Sequence, residues 1–214
     1  MKLLITAGPT REPIDRVRFI SNRSSGKMGL AVAQAAVDAG HQVTLLLGPG
    51  VDAQSIVSRC SVDRFETTSD LMAKLQTHFP RHDVLIMAAA VSDYRPVRTI
   101  DGKMSRTAGD GMTIELEATP DIVAAMVPSR RADQRIVAFA LEQADQLESR
   151  AAAKLGRKGA DAIVANPLST MDAQDVEAIW LTPDGGRAAP GLLSKADFGR
   201  WLVTKIGDNL GLNS

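Results

Sequence analysis

Residues 83–90 read D-V-L-I-M-A-A-A, an apolar run with one charge at its start. A strand without polar alternation must be covered on both faces, which places it inside a parallel sheet layered between helices. The surrounding chain repeats the units such a sheet needs. Residues 2–6 read as a first strand, 42–47 as a second ending at Gly48-Pro49-Gly50, 62–67 as a weaker third, and 83–90 as the fourth. Residues 135–140 make a fifth and 160–165 a sixth, which ends at Asn166-Pro167. Helical periodicity fills the gaps. Leu30, Val32, Ala33 and Ala36 mark a helix closing at Gly40, and Ser69 and Asp70 start one through Leu71, Leu75 and Phe79 that Pro80 stops. Residues 141–158 form a longer helix. The expected fold is an α/β, Rossmann-like, doubly wound, mostly parallel sheet with right-handed crossovers. Ligands in that class bind outside the carboxyl ends of the strands, where strand order reverses.

Three stretches depart from the alternation. Between the first strand and first helix runs a loop of roughly twenty residues, where an ordinary βα loop takes about 2–6. Residues 95–111 are polar, contain Pro96, Gly102, Gly109 and Gly111, and carry Lys103 and Arg106, which reads as a flap. A short exposed strand over 112–117 follows, then a helix with Thr119 as N-cap and Pro120 at its first position. From 168 onward a hairpin over 177–182 and the turn 183–186 precede a helix from Ser194 through Phe198, Trp201, Leu202 and Ile206. The chain is therefore one domain, a core over 1–167 with a C-terminal extension over 168–214. Trp180 and Trp201 there serve either core packing or an oligomer contact.

The long loop ends in Ser24-Ser25-Gly26, just before the first helix. Capped by these serines, the helix start would offer unpaired N–H groups and its dipole to an anion, with small residues allowing close approach. The alternative is a serine cap with glycines that only let helix pack on strand. On the first reading, Gly26→Val leaves the fold intact and weakens anion binding. Gly8, Thr10, Arg18, Ser24, Ser25, Gly26 and Gly29 form the phosphate- or substrate-facing set of this loop.

Composition removes several function classes. Twenty-five basic residues balance twenty-five acidic ones, so bulk charge predicts neither nucleic-acid nor membrane binding. No apolar run approaches the roughly 20 residues that span a bilayer, and the N-terminus reaches Gly8 too soon for a signal peptide. Cys60, the single cysteine of 214 residues, excludes a disulfide framework and a thiolate cluster, and suits a reducing cytoplasm. His41, His78 and His82 lack metal-ligand spacing, and no metal site is assigned. Ser25-Gly26-Lys27 lacks the upstream glycine of a Walker A loop, and no G-x-G-x-x-G follows the first strand. What remains is a phosphate-friendly loop, Asp93 after the central strand, and lysines in polar surroundings. That set suits nucleotide or phosphoester chemistry run by positioning and electrostatics.

The stretch I-T-A-G-P-T-R-E-P-I-D…R-F-I-S-N-R-S-S-G-K-M-G over 5–29 strongly resembles the opening motif of phosphopantothenoylcysteine synthetases, the phosphopantothenate–cysteine ligases of coenzyme A biosynthesis. The likeness continues through A-A-A-V-S-D-Y-R-P at 88–96, Pro120-Asp121-Ile122, V-A-F-A-L-E at 137–142, K-x-x-x-K-x-x-D at 154–161 and Ala165-Asn166. The resemblance implies an enzyme joining 4′-phosphopantothenate to L-cysteine. In the bacterial form CTP activates the carboxylate as an acyl-cytidylate with release of pyrophosphate, Mg²⁺ assists, and cysteine displaces CMP. By position, Asn22 would hold the acyl-cytidylate and Lys103 would serve activation. Met87, Ala88, Ala89, Asp93, Lys103, Pro120, Asp121, Ile122, Val123, Phe139, Lys154 and Lys158 would line the nucleotide site. Two departures stand out: Thr119 occupies the family's usual Asn position, and the flap carries fewer lysines. The resemblance also implies a homodimer, contacted through the tail, and no flavin in this chain. Bacteria often carry this domain fused behind a flavin-dependent decarboxylase. The rival enzyme reading, a short-chain NAD(P)H oxidoreductase, needs Tyr-x-x-x-Lys, yet Tyr94 is followed four residues on by Arg98. A non-catalytic nucleotide-binding module requires that Asn22 and Lys103 be dispensable.

Overall fold

The computed structural model describes residues 1–105, 111–171 and 173–209; Arg106 and Gly109 of the flap lie outside them. Strand β1 (Lys2–Ala7) leads into the long loop, which folds into a hairpin of β2 (Arg11–Pro13) and β3 (Phe19–Ser21) before α1 (Lys27–Asp38). Next come β4 (Gln42–Leu47), β5 (Ser61–Arg64), α2 (Thr68–His78) and β6 (Val84–Met87). A small ribbon of β7 (Tyr94–Pro96) and β8 (Leu116–Ala118) precedes α3 (Ile122–Met126). The last third holds β9 (Arg135–Glu142), α4 (Leu147–Lys158), β10 (Ala162–Pro167) and β11 (Asp175–Glu177). It closes with β12 (Ile179–Leu181), β13 (Arg187–Ala188), β14 (Leu192–Ser194) and α5 (Lys195–Asn209).

Eight strands form one sheet in the order β13-β12-β10-β9-β6-β1-β4-β5. From β5 to β10 all neighbours are parallel, giving the expected Rossmann-like core. The chain winds outward from β1 through β4 and β5, then restarts at β6 on the other side of β1. The order reverses between β1 and β6, and a crevice opens there at the carboxyl ends. Strand β6 is buried along its whole length, as its composition requires. Val84 and Ile86 face the layer of α1 and α5, where Val32, Phe198 and Leu202 pack. Leu85 and Met87 face that of α2, α3 and α4, with Leu71, Ile122 and Leu155.

The structure corrects several local expectations of element bounds and capping. Strand β6 ends at Met87, because Ala88 onward leaves the ladder to form the crevice turn, with Ala90 bridging Pro9. Strand β9 continues to Glu142, whose partner in register is Pro167, so α4 starts at Leu147 rather than 141. Asp121, not Thr119, caps α3 by accepting from the Ala124 N–H, and Pro120 precedes the cap. The tail joins the main body: β12 adds to β10 antiparallel, Trp180 is buried, and α5 lies along α1.

Neither serine caps α1. Its N-cap is Gly26 in the left-handed region (φ 71°), with no side-chain cap. A Cβ there would stand 2.8 Å from both Val51 methyls and 3.2 Å from the Gly8 nitrogen. At Gly29 a Cβ would stand 2.6 Å from that of Ala7. Gly26 is fixed by its contact with Val51 and the Gly8 backbone, and Gly29 by contact of the helix with Thr6 and Ala7 of β1. The expectation that Gly26→Val spares the fold therefore fails. A β-branched residue at positive φ, driven into Val51, should cost roughly 2–4 kcal/mol. Melting of the variant is expected about 5–15 °C below the parent; an unchanged melting temperature would sink this account of Gly26.

The stem of the flap is stapled to the turn between β2 and β3. Ile100 N–H donates to Ile14 O (2.9 Å), Arg16 N–H to Gly102 O (3.0 Å), and Met104 N–H to Asp15 Oδ2 (3.1 Å). Arg18 bonds Asp15 Oδ2 at 2.6 Å and reaches Met104 O. Burial alone would push the Asp15 carboxyl up, but the N–H groups of Val17, Arg18 and Met104 and the Arg18 guanidinium outweigh it and hold it at about 2. A carboxylate held below its usual 3.8 stabilises the fold fully above that pH, and the contribution disappears as pH falls through about 2. Asp15→Asn should melt below the parent at neutral pH, with the gap closing over that window. A pH-independent gap would show that the charge is not what ties the stem.

Candidate active site

The crevice is a cleft of about 900 Å³ walled by the start of α1, the turn after β6, the start of α3, the end of β9 and one face of α4. Sixteen of the residues singled out from sequence line it: Asn22, Ser24, Ser25, Gly26, Gly29, Met87, Ala88, Ala89, Asp93, Pro120, Asp121, Ile122, Val123, Phe139, Lys154 and Lys158. Four do not. Gly8 (φ 92°) lies beneath Gly26, and its own Cβ would meet Val51. Thr10 is fully buried, Arg18 is engaged with Asp15, and Lys103 is exposed on the flap stem outside the cleft wall.

A buried polar network sets the turn after β6. Thr10 Oγ1 accepts from Ser92 N–H (3.0 Å) and donates to Ser92 Oγ (3.2 Å). Beside it Thr68 donates its hydroxyl and its N–H to Glu12 Oε1 at 2.6 and 2.8 Å. Thr119 donates its hydroxyl to Ser92 O at 2.5 Å, which is why it is not free to cap α3. On this turn Asn22 is oriented by one bond, Nδ2 to Val91 O at 2.8 Å. Among the described residues its amide oxygen and second N–H have no further hydrogen bond.

Charges divide the cleft. On the α4 side each lysine has a carboxylate. Lys158 Nζ donates to both Asp121 oxygens (2.6 and 2.7 Å), and Lys154 Nζ lies 2.5 Å from Glu142 Oε1. Burial would raise the Asp121 carboxyl; Lys158, the Ala124 N–H and the charge of Arg157 outweigh it and hold it below its ordinary value. On the α1 side Arg23 and Lys27 are exposed, and among the described residues neither has a carboxylate partner. With no side-chain cap on α1, its first-turn N–H groups join them as a place for an anion. Among the described residues no group of three or more His, Cys, Asp or Glu side chains could hold a metal. Among the described residues Asp93, exposed in the cleft, is the lining carboxylate with no cation paired to it. His78 and His82 are occupied elsewhere, by Asp63 and by Thr44.

Arg23, Lys27, Arg157, Asn166, Thr170 and Lys195 also line the cleft and were not assigned from sequence. The first three had a signal, since Arg23 and Lys27 flank Ser24–Gly26 and Arg157 adjoins Lys158. Lys195 had none: it arrives from the start of α5 and donates to Ala173 O at 2.5 Å. Tyr94 is exposed on β7, paired through its backbone with Ala118.

Residues 1–210 match the family described as the DNA/pantothenate metabolism flavoprotein C-terminal domain. The chain is 42% identical over 172 residues to a protein named cysteine/cysteine sulfinic acid decarboxylase from an unidentified prokaryote, covering 80% of this chain and 47% of that one. It is 41% identical over 197 residues to the coenzyme A biosynthesis bifunctional protein CoaBC of Mycobacterium tuberculosis, covering 86% of this chain and 46% of the relative. The chain thus spans about half the length of the curated relatives it matches. Among solved structures, the C-terminal domain of a CoaBC protein superposes with a TM-score of 0.79 at 34% identity, covering 96% of this chain and 93% of that one. With the family motif matched from end to end and the fold shared, this chain belongs to the DNA/pantothenate metabolism flavoprotein C-terminal domain family.

Proposed function

We propose that this chain is a phosphopantothenate–cysteine ligase of coenzyme A biosynthesis, using CTP to activate 4′-phosphopantothenate for attack by L-cysteine. One observation carries the reading: Asn22, Asp93, the 120–123 turn, Phe139, Lys154 and Lys158, far apart in sequence, share one cleft. Its relatives named for coenzyme A biosynthesis support it. The chemistry needs little acid–base equipment. The pantothenate carboxylate attacks the α-phosphorus of CTP, and pyrophosphate leaves. The cysteine amine then attacks the acyl carbonyl, and CMP leaves.

The residues suit that division. Lys154, Lys158 and Arg157 flank the triphosphate path, and the bare cations Arg23 and Lys27 with the start of α1 suit a phosphate group. Asn22 is pre-set by Val91 O and offers a neutral amide to the acyl-cytidylate carbonyl without competing as a nucleophile. Lys103 would meet the triphosphate only when the flap closes. The donor set fits Mg²⁺ carried in by the nucleotide, since that ion binds through one or two carboxylates plus substrate phosphates. Asp93 would hold it, and the ion would neutralise phosphate charge. The proposal includes a cytoplasmic homodimer, with exposed Leu168, Met171 and Leu192 of the tail as surface to cover. It also includes a decarboxylase as fusion partner or associate.

Incubation with phosphopantothenate, cysteine, Mg²⁺ and each nucleoside triphosphate should release pyrophosphate, fastest with CTP. No release with any of them would refute the ligase reading. Asn22→Asp should form little stable acyl-cytidylate and no amide. A carboxylate beside the phosphate charge costs about 4 kcal/mol at 4 Å for an effective dielectric of 20. Lys103→Gln should act earlier, slowing pyrophosphate release by about 100-fold or more. Single-turnover mass spectrometry without cysteine separates the two; acyl-cytidylate formation at the parent rate in Lys103→Gln would remove the lysine from activation.

A further inference from the structure

Glu142 is the last residue of β9, 5% exposed, and does not line the cleft. It keeps the parity of Ile136, Ala138 and Ala140, whose side chains face the layer containing α4. There it meets two cations of that helix, Lys154 with Nζ 2.5 Å from Oε1 and Arg150 with Nη1 3.7 Å from Oε2. Oε1 is buried and makes no directed hydrogen bond, so its compensation is the ion contact with Lys154. A buried carboxylate is retained only where charge repays its lost hydration. The lysine it holds is one that does line the cleft.

A free lysine side chain loses rotamer freedom when it is fixed. Glu142 is mounted on a strand end paired with β10, a rigid site, and draws Lys154 to one place on the cleft wall before any ligand arrives. Two cations around one carboxylate leave the trio net positive, so an incoming phosphate is still attracted. We propose that Glu142 is a positioning residue for nucleotide binding, acting through Lys154. This rests on the nucleotide-binding reading of the cleft.

Three variants, Glu142→Gln, Glu142→Asp and Lys154→Met, with the Glu142→Gln/Lys154→Met pair, separate position from charge. CTP titrated calorimetrically in the presence of Mg²⁺, beside a melting curve for each protein, is the measurement. Glu142→Asp keeps the charge but withdraws it by one methylene. Positioning predicts that both single Glu142 variants raise the Kd for CTP about tenfold, the worth of one charge-assisted contact. It also predicts that Glu142→Gln changes Kd by less than about twofold in the Lys154→Met background. A parent Kd in folded Glu142→Asp would overturn the proposal, as would tighter binding in Glu142→Gln, the sign of mere charge neutralisation. An undiminished tenfold loss without Lys154 would overturn it too, since Glu142 would then act on the fold. Glu148→Gln, which breaks the exposed pair with Arg187 on the same helix, is the control expected to bind as the parent. A parent that binds no CTP removes the nucleotide reading itself and this inference with it.

Discussion

Where α1 meets the end of β1, the helix contributes no side chain at the point of contact, because the residue there is Gly29. Gly29 lies against Thr6 and Ala7, Gly26 fits under Val51, and Gly8 under both. Such contact lets the helix start sit directly above the carboxyl end of the sheet, and it is available only to residues without a Cβ. The other parts of the cleft take their positions from this seating. The turn after β6 is tied to the loop below α1 by Thr10, Ser92 and the Pro9–Ala90 bridge. Asn22, just before the helix, is held in turn by Val91. Replacing any of the three glycines would move this reference frame along with the loop that precedes α1.

The electrostatic plan follows from the two sides of that cleft. On the α4 side Asp121 sits on Lys158 and Glu142 on Lys154, while on the α1 side Arg23 and Lys27 have no carboxylate among the described residues and the first-turn amides have no side-chain cap. On the α4 side an anion must share each lysine with a carboxylate already in place. Such sharing favours ligands that bring several charges, or a divalent cation, over a lone phosphate.

Strand identity was legible because parallel strands buried on both faces must be largely apolar, as residues 45–47 and 84–87 are. Ser24–Gly26 and Asp93 were legible from their places at a helix start and after a strand, but Phe139 and Lys154 carry no local mark of a site and were legible only by resemblance. What the local sequence concealed has long-range causes. The 141–158 stretch reads as helix, yet Leu141 and Glu142 are captured by Asn166 and Pro167 of β10 and stay extended. Thr119 is a good cap by type, but its hydroxyl is committed to Ser92, leaving Asp121 to cap. Ser24 and Ser25 yield to Gly26 because the seating on β1 demands positive φ there. The tail's strands are short and polar-edged, so nothing local announced that β12 would extend the main sheet.

The contact between α1 and α5 also bears on how the chain is made. Gly199 approaches so closely that a Cβ there would stand 2.6 Å from Ala31 O, and Phe198, Leu202 and Ile206 complete the core on that face. During synthesis α1 emerges well before α5, a gap on the order of ten seconds or more at usual elongation rates. Over that interval the apolar face around Val32 and Ala36 lacks its final cover. One side of the nascent sheet stays open until α5 leaves the ribosome, and that is the window in which a chaperone would be of most use to this fold.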